Sequence, residues 1–157
     1  LKKLKPLEEK FWNDYLARLP ENKRHLSPFI EVSFAGKREG TDDLIQLYLE
    51  GKKHAGSSLV KDFESAGDPL PKVGNYWIIL DSNEAPRCLV KTVRVEINIF
   101  RDIPAEIAKA EGEGDLSVAY WKRVHMSFYL PFLSQWGIDD IDQAQVITEY
   151  FELVHKA

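Results

Sequence analysis

The stretch Tyr76–Phe100, YWIILDSNEAPRCLVKTVRVEINIF, decides the architecture. Tyr76–Leu80 is an unbroken apolar run of strand length, and Asp81–Pro86 is a polar connection. Arg87–Phe100 then reads as one long strand, or as two strands broken by a bulge. Within VRVEINIF, Val93 and Val95 alternate with Arg94 and Glu96 before Ile97, Asn98, Ile99 and Phe100, so charged side chains take one face while the other packs. These strands predict the centre of a small mixed sheet or a partly closed barrel. A dinucleotide-binding βαβ unit is excluded, because no GxGxxG follows a strand and no P-loop sequence is present.

Outward from that centre, helices alternate with turns. Residues Leu7–Leu19 carry Phe11, Trp12, Tyr15, Leu16 and Leu19 at helical spacing between Pro6 and Pro20, which predicts a helix laid across a core. Glu21–Leu26 adds a further turn or two before Pro28, and Phe29–Gly36 is either extended or irregular. Thr41 is the expected cap of a helix running through Leu49, and Gly51 lets the backbone leave it. Beyond the strands, Asp102 is the expected cap of a helix with Pro104 near its start and Ala105–Ala110 beyond. EGEGD, Glu111–Asp115, reads as a pocket rim or helix-entry turn rather than a metal cage, because it lacks EF-hand spacing. Asp115 is expected to cap a helix from Leu116 to about Leu130, with Trp121, His125 and Phe128 on one side and Leu116, Tyr120 and Val124 on an adjoining stripe. Pro131 stops it, and Ala144–Leu153 returns as a final strand.

Composition narrows the function classes. A chain of 157 residues with 44% hydrophobic content suits one compact domain, and no run reaches transmembrane length, so a membrane partner is not expected. Lysine plus arginine total 21 against 25 acidic residues, a net charge of -4, which argues against a long nonspecific duplex-binding face but permits a local basic pocket. Cys88 is the single cysteine, so there is no intrachain disulfide and no zinc ribbon, and the thiol reads as strand packing in a cytoplasmic protein. Neither a metal nor another cofactor is expected.

Chemistry is concentrated in Gly51–Glu64, GKKHAGSSLVKDFE. Clustered donors beside small residues suit backbone approach and anion recognition, although a solvated loop explains the same composition. Of Lys52 and Lys53, one can stay in water while the other points inward to bind a phosphate or a developing oxyanion. A free lysine with pKa near ~10.4 begins as an electrostatic clamp, not as a base. His54 can exchange a proton near neutrality but has no evident partner in the sequence. Ser57 and Ser58 can bond substrate, cap Leu59–Glu64, or satisfy nearby backbone. Glu96 either meets Lys53 or is the polar phase of its strand, and Trp121 with His125 either frames a base or packs in the core.

Taken together, GKKHAGSSL, PLPKVGNYWIILDSNEAPRCLVKTVRVEINIF and EGEGDLSVAYWKRVH resemble an ASCH domain of the PUA-like superfamily over about residues 29–155. The resemblance implies an α+β fold, a small mixed PUA-like β-barrel with flanking helices. Residues 1–28 are then an additional N-terminal helical extension packed on a 29–157 domain. It also implies a cleft for single-stranded RNA or a modified nucleoside; protein partners are not specified. Small members of the superfamily remove an acyl group from the exocyclic nitrogen of cytidine, using a lysine, a threonine three positions later and a glutamate on a strand. The lysine carries over to Lys53 and the glutamate to Glu96, while the threonine position holds Gly56, with Ser57 beside it. Larger members resemble metal-independent ribonucleases acting on single-stranded RNA. Under that reading Lys53 contacts phosphate, Ser57 positions a reacting oxygen, Glu96 organises the lysine, and Lys52, His54, Ser58, Trp121 and His125 surround the substrate. A noncatalytic RNA-recognition module is the third reading.

Overall fold

The computed structural model describes residues 3–24 and 27–157, and among them lie five α-helices and five β-strands. In chain order these are α1 (Pro6–Ala17), β1 (Ile30–Phe34), α2 (Thr41–Leu49), β2 (Ala55–Leu59), α3 (Val60–Ala66), β3 (Tyr76–Leu80), β4 (Pro86–Ile99), α4 (Ala105–Glu111), α5 (Val118–Tyr129) and β5 (Gln145–Lys156). The fold is α+β, and its mixed sheet has the order β1-β3-β4-β5-β2. β1 runs parallel to β3, while β3–β4 and β2–β5 are antiparallel. Backbone contacts divide the chain into two units, 1–51 with 73–93 and 151–157, and 52–72 with 94–150.

In the first unit the amino-terminal helix behaves as its spacing predicts. Phe11, Trp12 and Tyr15 of α1 pack with Tyr76, Ile78, Leu80 and Leu89. A second cluster joins Ile45 and Tyr48 of α2 to Ile79, Cys88, Val90 and Phe151. The Cys88 thiol is fully buried there, and burial raises its pKa to about 11, so it is a packing group and not a nucleophile. The helix cap differs from expectation. Gly40 occupies the cap position of α2, while the buried Thr41 hydroxyl accepts from Ala35 N (2.9 Å) and donates to Leu80 O (2.8 Å). Two buried backbone groups are thereby satisfied that would otherwise be costly. The extra turn after α1 is a 3-10 segment, Glu21–Lys23; His25 and Leu26, at the end of that expected turn, lie outside the described residues.

The second unit has its own core, built from Ala55, Leu59, Phe100, Ile103, Ile107, Trp121, Tyr129, Trp136 and Val146 among others. Ser57 and Ser58 do not cap a helix; they lie in β2, whose residues pair with β5 in the register Ser57↔Thr148. Leu59 holds the cap position of α3 without a side-chain bond. Likewise Pro104, not Asp102, precedes α4, because residues 100–102 are taken up by a 3-10 turn. Ser117, not Asp115, caps α5 by accepting from Tyr120 N, and Asp115 accepts from Ser117 N one step earlier. The inward face of α5 carries Trp121, His125 and Tyr129, while Phe128 is 39% exposed. Spacing of four and four, rather than four and three, marks this face because the helix rotates 100° per residue and its inward stripe is narrow.

Candidate functional site

Strand alternation decides which of the loop residues turn inward. Ala55 and Leu59 are fully buried, so β2 presents the side chain between them, Ser57, to the same interior face. Its opposite residue on β5, Thr148, is also fully buried, and the two hydroxyls lie 2.8 Å apart. Gly56 and Ser58 belong to the other face. The hydroxyl displaced by one position from the family's threonine is therefore the one that enters the interior.

Glu111 enters from the final turn of α4. Gly112 follows in the left-handed region with φ +69°, and a Cβ there would lie 2.0 Å from Lys52 O. Only glycine permits the turn to close against the backbone of Lys52 and Lys53. His54 N donates to Ala110 O over 2.8 Å and fixes the same junction from the other side.

Lys53 and Glu111 meet at this junction, exposed by 6% and 3%. Lys53 Nζ donates to Glu113 Oε2 (2.9 Å), Glu111 O (3.2 Å) and Glu111 Oε1 (3.4 Å). Glu111 Oε2 accepts from Ser57 Oγ over 2.7 Å and from Trp121 Nε1. Its Oε1 also faces His125 Nε2 at 3.3 Å. Burial alone would raise the Glu111 pKa; the His125 hydrogen bond, the Lys53 and His125 charges and the Trp121 bond outweigh it and bring the value down to about 2. The carboxylate is thus ionised at neutral pH.

His125 stands between two acceptors, with Nδ1 2.8 Å from Trp121 O and Nε2 on Glu111. A carbonyl oxygen only accepts, so Nδ1 carries the hydrogen of the bond to Trp121 O. Its ring stacks on Trp121 with centroids 3.9 Å apart and planes at 16°. Tyr129, one turn further, donates to Ser57 O over 3.0 Å. Burial, then the Glu111 and Asp62 charges, push its phenol well above the ordinary range, so it remains a donor.

Several expected site residues thus converge and others do not. Lys53, Ser57, Trp121 and His125 share one carboxylate. Lys52 and His54 are exposed, which agrees with adjacent lysines facing opposite ways. Trp121 is 3% exposed and packed against His125 and Phe100, so its ring is not an open wall for a stacked base. Glu96 takes its bonds from Tyr150 OH (2.9 Å) and Arg94 Nη2 (3.1 Å), while the carboxylates bonded to Lys53 are those of Glu111 and Glu113. In the sequence Glu111 and Glu113 read only as part of a pocket rim or helix-entry turn. The signal that points further is an acid at the last helical position before a left-handed glycine, where it can turn inward.

A small recess of about 10 Å3 lies beside the cluster, lined by Glu111, Glu113, Ser117, Tyr120, Trp121 and His125 among others. This is room for about one water molecule, far below the roughly 300–1,000 Å3 of pockets that enclose a small ligand, so a ligand would reach the cluster only as the surrounding side chains move. Among the described residues no group of three or more His, Cys, Asp or Glu is placed to hold a metal ion, and no helix is long and apolar enough to cross a membrane.

Comparison with known proteins agrees with this architecture. The ASCH domain structure from Lactobacillus crispatus JV V101 superposes with a TM-score of 0.89 at 22% identity, covering 98% of each chain. Protein EF3133 from Enterococcus faecalis V583 is similar at 28% identity and a TM-score of 0.78, over 93% of this chain and 86% of that one. A mutant form of ZmASCH from Zymomonas mobilis matches at 5% identity and a TM-score of 0.50, over 81% of this chain and 70% of that one. No curated protein matches significantly. The ASCH domain family model matches residues 30–155. With that match spanning most of its length, the chain belongs to the ASCH domain family.

Proposed function

We propose that this protein takes a nucleobase, in single-stranded RNA or as a free modified nucleoside, and hydrolyses an acyl amide on its exocyclic nitrogen, with an acylated cytosine as the substrate. Lys53, Ser57 and Glu111 are the reacting groups, Glu111 taking the acidic role that the family resemblance carries over to Glu96. One observation carries this reading: the Ser57 hydroxyl and the Lys53 ammonium hydrogen-bond to the same buried carboxylate. A nucleophile, a proton acceptor and a cationic donor therefore stand within reach of one reacting carbonyl.

The steps follow from their protonation states. Ser57 Oγ adds to the acyl carbon and gives its proton to Glu111, while Lys53 donates a hydrogen bond to the oxyanion. The carbon–nitrogen bond then breaks, and the departing amine takes the proton from Glu111. Water attacks the acyl-serine, releasing the carboxylic acid and restoring the serine. With four donors on it, Glu111 is a weak base; a substrate carbonyl that draws Lys53 toward itself removes one donor and strengthens it.

The ribonuclease reading requires a phosphate beside Lys53, where Glu111 and Glu113 already stand. Repulsion from two carboxylates favours the neutral amide over the phosphodiester. The test is release of cytidine and free acid from an N4-acylated cytidine, followed by chromatography for the protein and its Ser57→Ala and Lys53→Met variants. Release lost in both variants supports the proposal. No release by the unaltered protein, under conditions where it binds the same nucleoside, overturns it. Cleavage of a defined single-stranded RNA, with chelator present and dependent on Lys53, would put the ribonuclease in its place.

A further inference from the structure

Of the two carboxylates named above, Lys53 lies nearer to the more exposed one. Glu113 Oε2 is 2.9 Å from Nζ and the Glu113 side chain is 23% exposed, against 3.4 Å and 3% for Glu111 Oε1. Glu113 also lines the recess, whereas Lys53 does not. An incoming oxygen that is to reach the ammonium from the recess therefore meets the Glu113 carboxylate first.

The backbone around Glu113 holds it there. Gly112 and Gly114, on either side, have φ +69° and +59°. A Cβ on Gly112 would strike Lys52 O at 2.0 Å, and one on Gly114 would lie 2.5 Å from the Tyr120 ring. Two left-handed glycines in contact with fixed neighbours bring the chain in and out at this point, so the intervening side chain is presented to Lys53. Two carboxylates already face the Lys53 ammonium at this point.

We propose that Glu113 is a specificity-determining residue that selects ligands by charge: it yields Lys53 to a neutral carbonyl oxygen and excludes a phosphate or carboxylate from the same position. A carbonyl replaces one acceptor of the ammonium by another, and the displaced Glu113 carboxylate can turn into water. An anion must instead settle beside Glu111 with Glu113 still close, adding an unbalanced charge in a poorly hydrated place. The inference rests on the amide-hydrolysis reading for its neutral substrate, but the charge selection is measurable without any turnover.

The experiment measures binding of inorganic phosphate and of acetamide, a neutral amide probe, by chemical-shift titration of the full chain. Glu113→Ala removes the charge and opens space, Glu113→Gln removes the charge alone, and Glu64→Gln, at an exposed acid on α3, is the control. The expected result is a phosphate Kd lowered about tenfold or more in Glu113→Ala and lowered in Glu113→Gln, with acetamide binding changed less than about twofold in Glu113→Gln. Adding Lys53→Met to either variant should abolish the gained phosphate binding. Phosphate binding unchanged in both Glu113 variants, or gained equally in Glu64→Gln, overturns the proposal. If phosphate binding is gained through Lys53 while no acylated nucleoside is hydrolysed by the unaltered protein, charge selection stands and the amide-hydrolysis reading alone fails. If deacylation is present and no phosphate binding is gained, the charge-selection proposal alone fails.

Discussion

Ser57 donates its hydroxyl proton to Glu111 Oε2 over 2.7 Å, although 54 positions separate the two residues in sequence. The contact puts a strand hydroxyl on a helix-terminal carboxylate, and most of what can be tested about this protein turns on it.

The cluster makes a stability prediction that is independent of any substrate. Lys53→Met leaves Glu111 and Glu113 without their ammonium partner in a buried place, and the loss should be about 3–5 kcal/mol. A Lys53→Met, Glu111→Gln double variant removes both buried charges and should be less destabilised than the two single losses summed. Denaturant midpoints of the four proteins give the coupling directly. An additive result would mean that the two groups do not share an interaction.

Glu111 also sets an acid dependence. Its folded pKa of about 2 lies below the ordinary value of 4.5, so the stabilisation is fully present above pH 4.5 and is lost as pH falls toward 2. A shift of that size corresponds to on the order of 3 kcal/mol. Unfolding free energy measured between pH 5 and 2 should fall more steeply for the unaltered protein than for Glu111→Gln; parallel curves would count against the ionised, multiply bonded carboxylate.

Gly112 and Gly67 form a matched pair, with φ +69° and +72°. A Cβ on Gly67 meets nothing within 4 Å, so Gly67→Ala should cost only the left-handed backbone penalty of about 1–2 kcal/mol. At Gly112 the same methyl strikes Lys52 O, and Gly112→Ala should cost clearly more and displace Glu111 from Lys53. Thermal unfolding of the two variants checks the difference. Equal losses would show that the turn does not need its close approach.

Two acids separate the site from its surroundings. Glu96→Gln should leave deacylation within about twofold, since Glu96 is bonded to Tyr150 and Arg94. Glu111→Gln should lower it by about a hundredfold or more, a loss within the usual contribution of a positioned proton acceptor. Steady-state rates on an acylated cytidine decide between them. A large loss in Glu96→Gln with activity retained in Glu111→Gln would return the acidic role to the strand.

Local pattern was enough for much of the architecture. The apolar run Tyr76–Leu80, the long strand that follows it and the helical spacing of Phe11, Trp12 and Tyr15 all occur as read, because periodicity and burial are recorded residue by residue along the chain. Caps were less legible. Thr41, Asp102 and Asp115 have cap-forming side chains, yet Gly40, Pro104 and Ser117 hold those positions, since a short polar group bonds whichever nearby backbone group the fold leaves unpaired.

Sequence alone therefore determined the central strands, the helices around them and a basic stretch after the second helix, and left open which of Lys52 and Lys53 turns inward. Tertiary structure decided the rest: that Ser57 and not position 56 faces the interior, that Glu111 and Glu113 bond the lysine, and that Trp121 is packed instead of open. The physical reason is range. Alternation and helical spacing act over a few residues, whereas the partner of a buried ammonium is chosen by strand register and by one left-handed glycine turn, across a separation of about sixty positions.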